Sequence, residues 1–366
     1  MKSDSDNYQK IFLSNAIMMD IRAPVEFSRG SFPNAVNLPL LNDNERTAVG
    51  TCYKEQGLEA ALELGHHLVS DVTKAERLHD WAAFAAKDPQ GYLFCFRGGQ
   101  RSLICQQWLV NIGVEYPRVL GGYKAMRRFL INNLVLICDT QPFLVLGGQT
   151  GCGKTEVLEQ STCSVDLEGL ANHRGSAFGR RVGGQPTQIN FENHLSVDIM
   201  KQSHHRPHRA ILVEDESKLI GRRNLPPALK HTMNFSPLVL LETGLEHRVE
   251  HTFHNYILHN LYDWQKSAGK EQGFISFSEE LRESLHNIRR RLGGNRFAKL
   301  IKILEDAIKA HAAGNENLHR DWIAILLRDY YDPMYNYQLE RKKERIIFRG
   351  DSDAVKQFIS TYTPKK

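Results

Sequence analysis

Residues 142–156 read PFLVLGGQTGCGKTE, and the reading of this stretch decides the fold. The apolar run 143–146 is short and ends at glycine, which predicts a buried strand. Gly147 and Gly148 follow, then Gln149, Thr150, Gly151, Cys152, Gly153, Lys154 and Thr155. From Gly148 onward this is glycine, four residues, then Gly-Lys-Thr: the P-loop spacing. The glycines let the backbone curl so that several N–H groups aim at one anion. Lys154 adds a point charge, Thr155 offers a hydroxyl, and the helix expected from there turns its positive end to the phosphates. Such a loop reads phosphate and not base, so it leaves open what the phosphate belongs to.

The whole chain has 366 residues, room for two or three domains. It is 41% apolar and 24% charged, the composition of a globular protein. No apolar run reaches the roughly 20 residues of a membrane span, and the start, MKSDSDNYQK, has no signal-like apolar core. The expectation is a cytoplasmic protein with no membrane association. Cysteines 52, 95, 105, 138, 152 and 163 form no CxxC pair, which argues against a zinc ribbon and a disulfide scaffold. The net charge is only +5, but basic clusters gather after residue 170, at 180–181, 204–209, 222–223, 289–291 and 341–343. Each alone suits a solvated face; together they make a polyanion partner plausible. His204, His205 and His208 sit among Arg and Pro with no Cys or carboxylate close by, so they read as part of that basic surface and not as metal ligands.

Upstream of the P-loop, the segments 17–22 and 92–96 read as strands, and 60–68, 74–86 and 106–111 as helices. That alternation predicts a parallel α/β sheet. The second strand runs into Cys95, Phe96, Arg97, Gly98, Gly99, Gln100, Arg101 and Ser102. A cysteine leaving a strand, a glycine loop, then a helix starting near Ser102 makes an anion cradle. Its field favours thiolate over thiol, and Arg97 and Arg101 would strengthen both effects. Cys52 has polar flanks, which predict an exposed bystander thiol; Cys105 and Cys138 read as core.

Four motifs in order now resemble a rhodanese domain over residues 10–135: Asp20-x-Arg22-x-Pro24-x-Glu26-Phe27, Pro33-x-Ala35-x-Asn37-x-Pro39, the cysteine loop, and Leu120-Gly121-Gly122-Tyr123. The resemblance implies that Cys95 carries sulfur or selenium. Many single-domain rhodaneses place four residues between this Cys and the closing Arg; here Phe96 to Gln100 intervene, one more. The wider loop suits a phosphate-bearing chalcogen donor.

Beyond the P-loop, 164–168 reads as a short strand ending in acids and lying beside the P-loop strand. Asp166 and Glu168 are candidate acid/base or Mg²⁺-positioning groups, and Arg174 a candidate diphosphate clamp. Residues 210–217, AILVEDES, read as a Walker B strand, with Glu214 and Asp215 equal candidates for its acid. Residues 238–242 predict a further buried strand, 279–292, 296–313 and 321–331 predict helices, and 346–350 a late edge strand. The aromatic stretch 329–337 suits base stacking or, slightly better, packing against a neighbouring domain.

The domain order, with DLEGLANHRGSAFG at 166–179 and YYDPMY at 330–335, closely resembles the tRNA 2-selenouridine synthase family over residues 10–350. The resemblance implies an α/β protein. Its parts would be a rhodanese-like parallel-sheet domain (10–135), a P-loop NTPase-like domain (136–250), and a helical region (251–366) packed on the latter and helping to bind tRNA. It implies a transferase acting at wobble position 34 of tRNAs for lysine, glutamate and glutamine. There 2-thiouridine is S-geranylated with geranyl diphosphate, then converted to 2-selenouridine with selenophosphate. Cys95 with Arg97, Gly98, Gly99 and Arg101 would serve the selenium step. Gly148, Gly151, Gly153, Lys154, Thr155 and Arg174 would hold the diphosphate, with an apolar groove for the geranyl chain beside that loop. No tightly bound cofactor is expected; Mg²⁺ is a candidate ion, a selenophosphate supplier a partner, and the expected state a monomer. The alternative is an ATP-dependent sulfurtransferase or kinase fused to a rhodanese domain. A Cys-dependent phosphatase and a non-enzymatic tRNA binder are further readings, and the intact Cys95 loop and Gly-Lys-Thr argue against the second of these.

Overall fold

The computed structural model describes residues 3–364. The chain divides into two compact units, one running to Leu136 and taking back Thr187–Lys201, the other comprising Ile137–Pro186 and the remainder from Gln202.

In the first unit, β1 (Met18–Asp20), β2 (Ala35–Asn37) and β3 (Tyr92–Phe94) form a parallel sheet in the order β2-β1-β3. Both β1 and β3 are buried along their whole length, as strands covered on two faces must be. Their side chains join Trp81, Cys105 and Leu109 in one core, and the Trp81 indole N–H donates to Leu38 O at 3.0 Å. The expected helices occur as Leu58–Leu68, Asp71–Lys87 and Gln100–Asn111. The helix Asp43–Gln56 was not expected. Asn42 starts it: its side chain accepts from Glu45 N at 2.9 Å, while the Glu45 carboxylate accepts from Asn42 N at 2.8 Å. Only Cys52 of this helix is buried, so it carries almost no apolar periodicity to betray it. Cys52 itself is 8% exposed, contrary to the expectation from its polar flanks, because helical winding turns the thiol inward while its neighbours face out.

The Asp20-x-Arg22 pair has a structural use. Arg22 is 2% exposed and meets the Asp20 carboxylate through Nε at 2.9 Å and Nη2 at 2.5 Å, with Nη2 also donating to Gly30 O at 2.8 Å. Its guanidinium lies 3.8 Å from the Tyr123 ring centroid. Burial pushes the Asp20 carboxyl up, and Arg22 pulls against that. Pro24 sits in the first turn of the helix Pro24–Arg29, where its missing N–H costs nothing.

In the second unit, β4 (Phe143–Gly148), β5 (Ser164–Val165), β6 (Ile211–Glu214), the small hairpin β7 (Leu219–Ile220) and β8 (Arg223–Asn224), β9 (Leu238–Leu241) and β10 (Ile346–Gly350) follow in sequence. Five of them make a parallel sheet ordered β10-β9-β4-β6-β5. The P-loop strand β4 is central and wholly buried, and β10 is the edge strand expected for 346–350. One expectation fails: β5 does not lie beside β4, because β6 pairs with both and separates them. Helices Lys270–Asn287, Gly294–Ala312 and His319–Leu326 enclose a further core around Phe277, Leu281, Leu304 and Trp322. Tyr330 and Tyr331 are buried in that core, so those two rings of the aromatic stretch serve packing, whereas Tyr337 is 69% exposed. No helix among the described residues is long and apolar enough to cross a membrane.

Removing one member of a buried ion pair strands the other. Arg22→Met should therefore lower stability by about 3–5 kcal/mol, measured by urea unfolding followed by tryptophan fluorescence.

Candidate functional site

The cysteine loop leaves β3 and turns into the helix Gln100–Asn111, two residues earlier than its sequence suggests. Gly98 takes φ +66°, and a Cβ there would stand 2.6 Å from Gly121 N, so only glycine fits. Against the loop begins the helix Gly122–Thr140, whose Tyr123 and Lys124 amides donate to Cys95 O and Phe96 O at 2.9 and 3.0 Å. Cys95 is buried, with its sulfur 3.4 Å from Ser102 Oγ, and Ser102 in turn donates to Gly99 O at 2.9 Å. Arg97 is exposed at the loop's tip. Arg101 meets Glu26 at 2.7 Å; burial pulls the Arg101 pKa down, and Glu26 and Cys95 together push it up further. Glu26, the acid of the first motif, is thus the counter-ion that holds one wall of the cradle.

A cavity of about 980 Å³ opens over this loop. Its floor includes Cys95, Phe96, Arg97, Gly99 and Arg101, and much of its wall is apolar, from the two helices Asp43–Gln56 and Leu58–Leu68 and from Ile104 and Trp108.

The P-loop leaves β4 through Gly148 and turns at Gly151 (φ +80°) and Gly153 (φ +86°) into the helix Lys154–Glu159. Lys154 Nζ reaches back across the loop to Gly148 O at 3.3 Å. Burial pulls the Lys154 ammonium pKa down, but the charges of Cys152, Glu168 and Glu216 outweigh it and push the pKa up. The loop is braced from outside the motif. Arg248 donates to both Asp332 oxygens at 2.7 Å and to Thr150 O at 3.4 Å, and Thr243 Oγ1 donates to Cys152 O at 3.2 Å. Asp332 belongs to the YYDPMY stretch, whose acid therefore acts on the phosphate loop through Arg248.

The acids around this loop separate by role. Asp166 caps the short helix Leu167–Leu170, accepting from Gly169 N at 2.7 Å. Asp215 is taken by Lys342 at 2.6 Å. Glu214 is buried and accepts from Leu167 N at 2.9 Å; burial, with the charges of Asp166 and Glu168, pushes its carboxyl well up. Glu168 and Glu216 converge on Gly175, where a Cβ would stand 2.9 Å from Glu216 Oε1. Burial, then Glu168, raises the Glu216 carboxyl, while Lys154 pulls it the other way. Among the described residues, no three acidic, His or Cys side chains converge as a metal cage; Mg²⁺ held by one or two carboxylates and substrate phosphate needs none.

Arg174 is buried with Nη1 unpartnered, its guanidinium 5.3 Å from the Tyr256 ring centroid. A buried guanidinium N–H with no acceptor is a standing place for an anion. Tyr256 lies on a π-helical segment, Phe253–Leu258, and Tyr331 on another, Leu327–Tyr331; such segments often mark functional sites. A cavity of about 410 Å³ touches this loop, and Gly148, Gln149, Glu242, Thr243, Tyr335 and Arg349 line it with three leucines. It is not the apolar groove expected here.

Sequence reasoning missed Glu26, Glu216, Arg248 and Ser102. Glu26 stood in a quoted motif, and Glu216 two residues beyond a named candidate; Arg248 had no local signal at all.

Residues 141–366 match the family model described as the tRNA 2-selenouridine synthase AAA domain. A relative from Hahella chejuensis named tRNA 2-selenouridine synthase is 55% identical over 98% of this chain and 94% of its own length. Proteins of the same name from Cupriavidus necator and Pseudomonas syringae pv. syringae are 48% and 50% identical, covering 100% and 98% of each chain.

A side chain at Gly151 would overlap Thr252 Oγ1 and stand 2.8 Å from Arg248 O, on a backbone that L-residues avoid. Gly151→Ala should weaken inorganic pyrophosphate binding at least about tenfold by calorimetry, from roughly 1–3 kcal/mol of backbone strain plus the clash. Gly99→Ala, where a Cβ meets open space, should leave pyrophosphate binding unchanged in the same measurement.

Proposed function

The chain belongs to the tRNA 2-selenouridine synthase family, and from that premise we propose that it exchanges the sulfur of a wobble 2-thiouridine for selenium in two steps. In the first, the thiocarbonyl sulfur attacks C1 of geranyl diphosphate, forming an S–C bond as the C–O bond breaks and diphosphate leaves. Gly148, Gly151, Gly153, Lys154 and Thr155 hold that diphosphate, with Arg174 as a further clamp. In the second, selenium from selenophosphate adds at C2 and geranyl thiol departs, while water takes the phosphoryl group. The balance needs no oxidant or reductant, since selenophosphate already carries selenium at the selenide level. S-alkylation is what makes the sulfur leave, because a thiocarbonyl sulfur is a poor leaving group and a protonated alkyl thiolate is a good one.

The observation that carries this reading is that one chain bears two separate glycine loops, each leading from a strand to a helix, only one of which presents a cysteine at the end of its strand. Diphosphate chemistry goes to the loop with Lys154, and selenium chemistry to the loop with Cys95. Glu168 and Glu216, facing Lys154, are the acid/base candidates of the first step. If Mg²⁺ binds, Glu168 and Glu216 beside Lys154 would help to hold it, and it would supply positive charge against the departing diphosphate. The basic surface serves the tRNA backbone; the substrate tRNAs are those for lysine, glutamate and glutamine, and the working unit is a cytoplasmic monomer supplied with selenophosphate.

Nucleoside mass spectrometry on 2-thiouridine tRNA, incubated with geranyl diphosphate and then selenophosphate, tests the scheme. Cys95→Ser should accumulate the S-geranyl nucleoside, with selenation lowered at least about a thousandfold. Lys154→Ala should slow geranylation roughly 10²–10³-fold and leave selenation of pre-geranylated tRNA intact. Abolished geranylation in Cys95→Ser, or ATP turnover in place of geranyl transfer, would overturn the scheme. Raising salt from 50 to 200 mM should weaken tRNA binding by about a thousandfold or more if roughly six phosphates are contacted.

A further inference from the structure

The cavity over Cys95 has walls that the selenium chemistry of the loop does not explain. Selenophosphate is small and anionic, and a uracil ring is edged with hydrogen-bonding groups; neither needs a space of about 980 Å³ faced by Val49, Tyr53, Leu58, Leu62, Ile104 and Trp108. Tyr53 and Leu58 are more than 45% exposed, although they stand on two neighbouring helices that could have closed upon each other. An apolar face left open inside a cavity is ordinarily a ligand site. The mouth has the opposite character. Arg29, Arg46, Lys54 and Arg97 are exposed around it, and the one acid in the lining, Glu26, is already bonded to Arg101 and within 3.3 Å of Arg46.

We propose that this cavity holds the geranyl chain of the S-geranylated wobble nucleotide while selenium replaces its sulfur. The inference rests on the two-step reading above and adds to it a place: the prenyl chain is bound at the cysteine loop in the second step, whatever holds it in the first. Two features fit that occupant together. The chain is attached to the sulfur that must lie beside the incoming selenium, so it has to enter wherever Cys95 stands. It is also attached to an RNA, whose flanking phosphates would meet the cationic rim while the tail meets the apolar wall. Binding the tail would then select nucleotides already activated for exchange and reject unmodified 2-thiouridine, which offers the wall nothing. Geranyl thiol, once expelled, would be left in the same cavity.

The test uses the full-length chain and two anticodon stem-loops, one bearing S-geranyl-2-thiouridine and one the S-methyl analogue, with selenophosphate as donor. Wild type should favour the geranyl substrate in kcat/KM at least about a hundredfold. Leu62→Gln and Ile104→Gln, each putting an amide into the wall, should cut that preference roughly tenfold, mainly through KM, and Leu62→Met should keep it. In Cys95→Ser, where no exchange occurs, fluorescence anisotropy should still show the geranyl stem-loop binding more tightly than the methyl one. Equal treatment of both substrates by wild type, or loss of activity on both in equal proportion in the Gln variants, would overturn the cavity assignment alone. Failure of wild type to selenate either substrate would overturn the two-step reading and this inference with it.

Discussion

Backbone lies directly against backbone where the cysteine loop meets the helix Gly122–Thr140, and the first unit's site depends on that contact. Gly98 and Gly122 both have positive φ, and neither leaves space for a Cβ. The approach lets the helix's first amides take Cys95 O and Phe96 O. Two carbonyls that would repel an anion are thereby neutralised by N–H groups, and the loop is fixed where it leaves the strand. Leu120-Gly121-Gly122-Tyr123 is therefore part of the cysteine site, though it stands more than twenty residues downstream. Tyr123 carries the contact inward, its ring covering the Arg22 guanidinium that neutralises Asp20 at the end of β1. Sheet, loop and helix start are one mechanical object.

The second unit meets the same demand with different materials. Its loop also turns on positive-φ glycines, but the brace is a salt bridge: Arg248 links Thr150 O to Asp332. A bidentate pair of this kind, with Arg248 buried, resists distortion better than a single hydrogen bond. The charge problem is also different. Lys154 is half-buried, and desolvation alone would favour losing its proton, so carboxylates are needed nearby. Too many would repel the ligand. Burial and neighbouring acids push the Glu214 and Glu216 carboxyls up, which runs in the direction that eases that conflict, since a carboxyl that takes a proton more readily opposes an incoming diphosphate less.

What could be seen in the sequence was whatever lay in one contiguous segment. The P-loop, its strand and helix, the cysteine loop, and the apolar runs that became β1, β3, β6 and β9 were all visible, because period and glycine spacing are local properties. The order of strands was not: β5 looked like a neighbour of β4 because it follows next, and only pairing across the sheet shows β6 between them. The return of Thr187–Lys201 to the first unit was hidden for the same reason. Asn190 accepts from Ser31 N at 2.6 Å and Asn193 donates to Ser31 O at 2.6 Å, contacts between residues about 160 positions apart. The helix Asp43–Gln56 escaped notice because it has few apolar residues and two of them, Val49 and Tyr53, line a cavity, so the usual face-to-core pattern is weak.

The basic clusters mark where the sequence misleads about charge. Counted along the chain they favour the second half, yet several of their members are spent on the protein itself. Arg180 holds Glu280 and Glu283, Lys342 holds Asp215, and Arg289 lies 5.2 Å from the Phe297 ring centroid. A cation paired with a carboxylate contributes little net field to an approaching polyanion. By contrast Arg29, Arg46, Lys54 and Arg97 are scattered in the sequence and form no run, but the fold gathers them at the mouth of one cavity. Long-range attraction to a nucleic acid depends on charge as arranged in space and left unpaired. Arg46 is shared with Glu26, but among the described residues no carboxylate ion pair takes Arg29, Lys54 or Arg97, so the first unit also presents cations to a phosphate backbone, and it does so beside its buried cysteine.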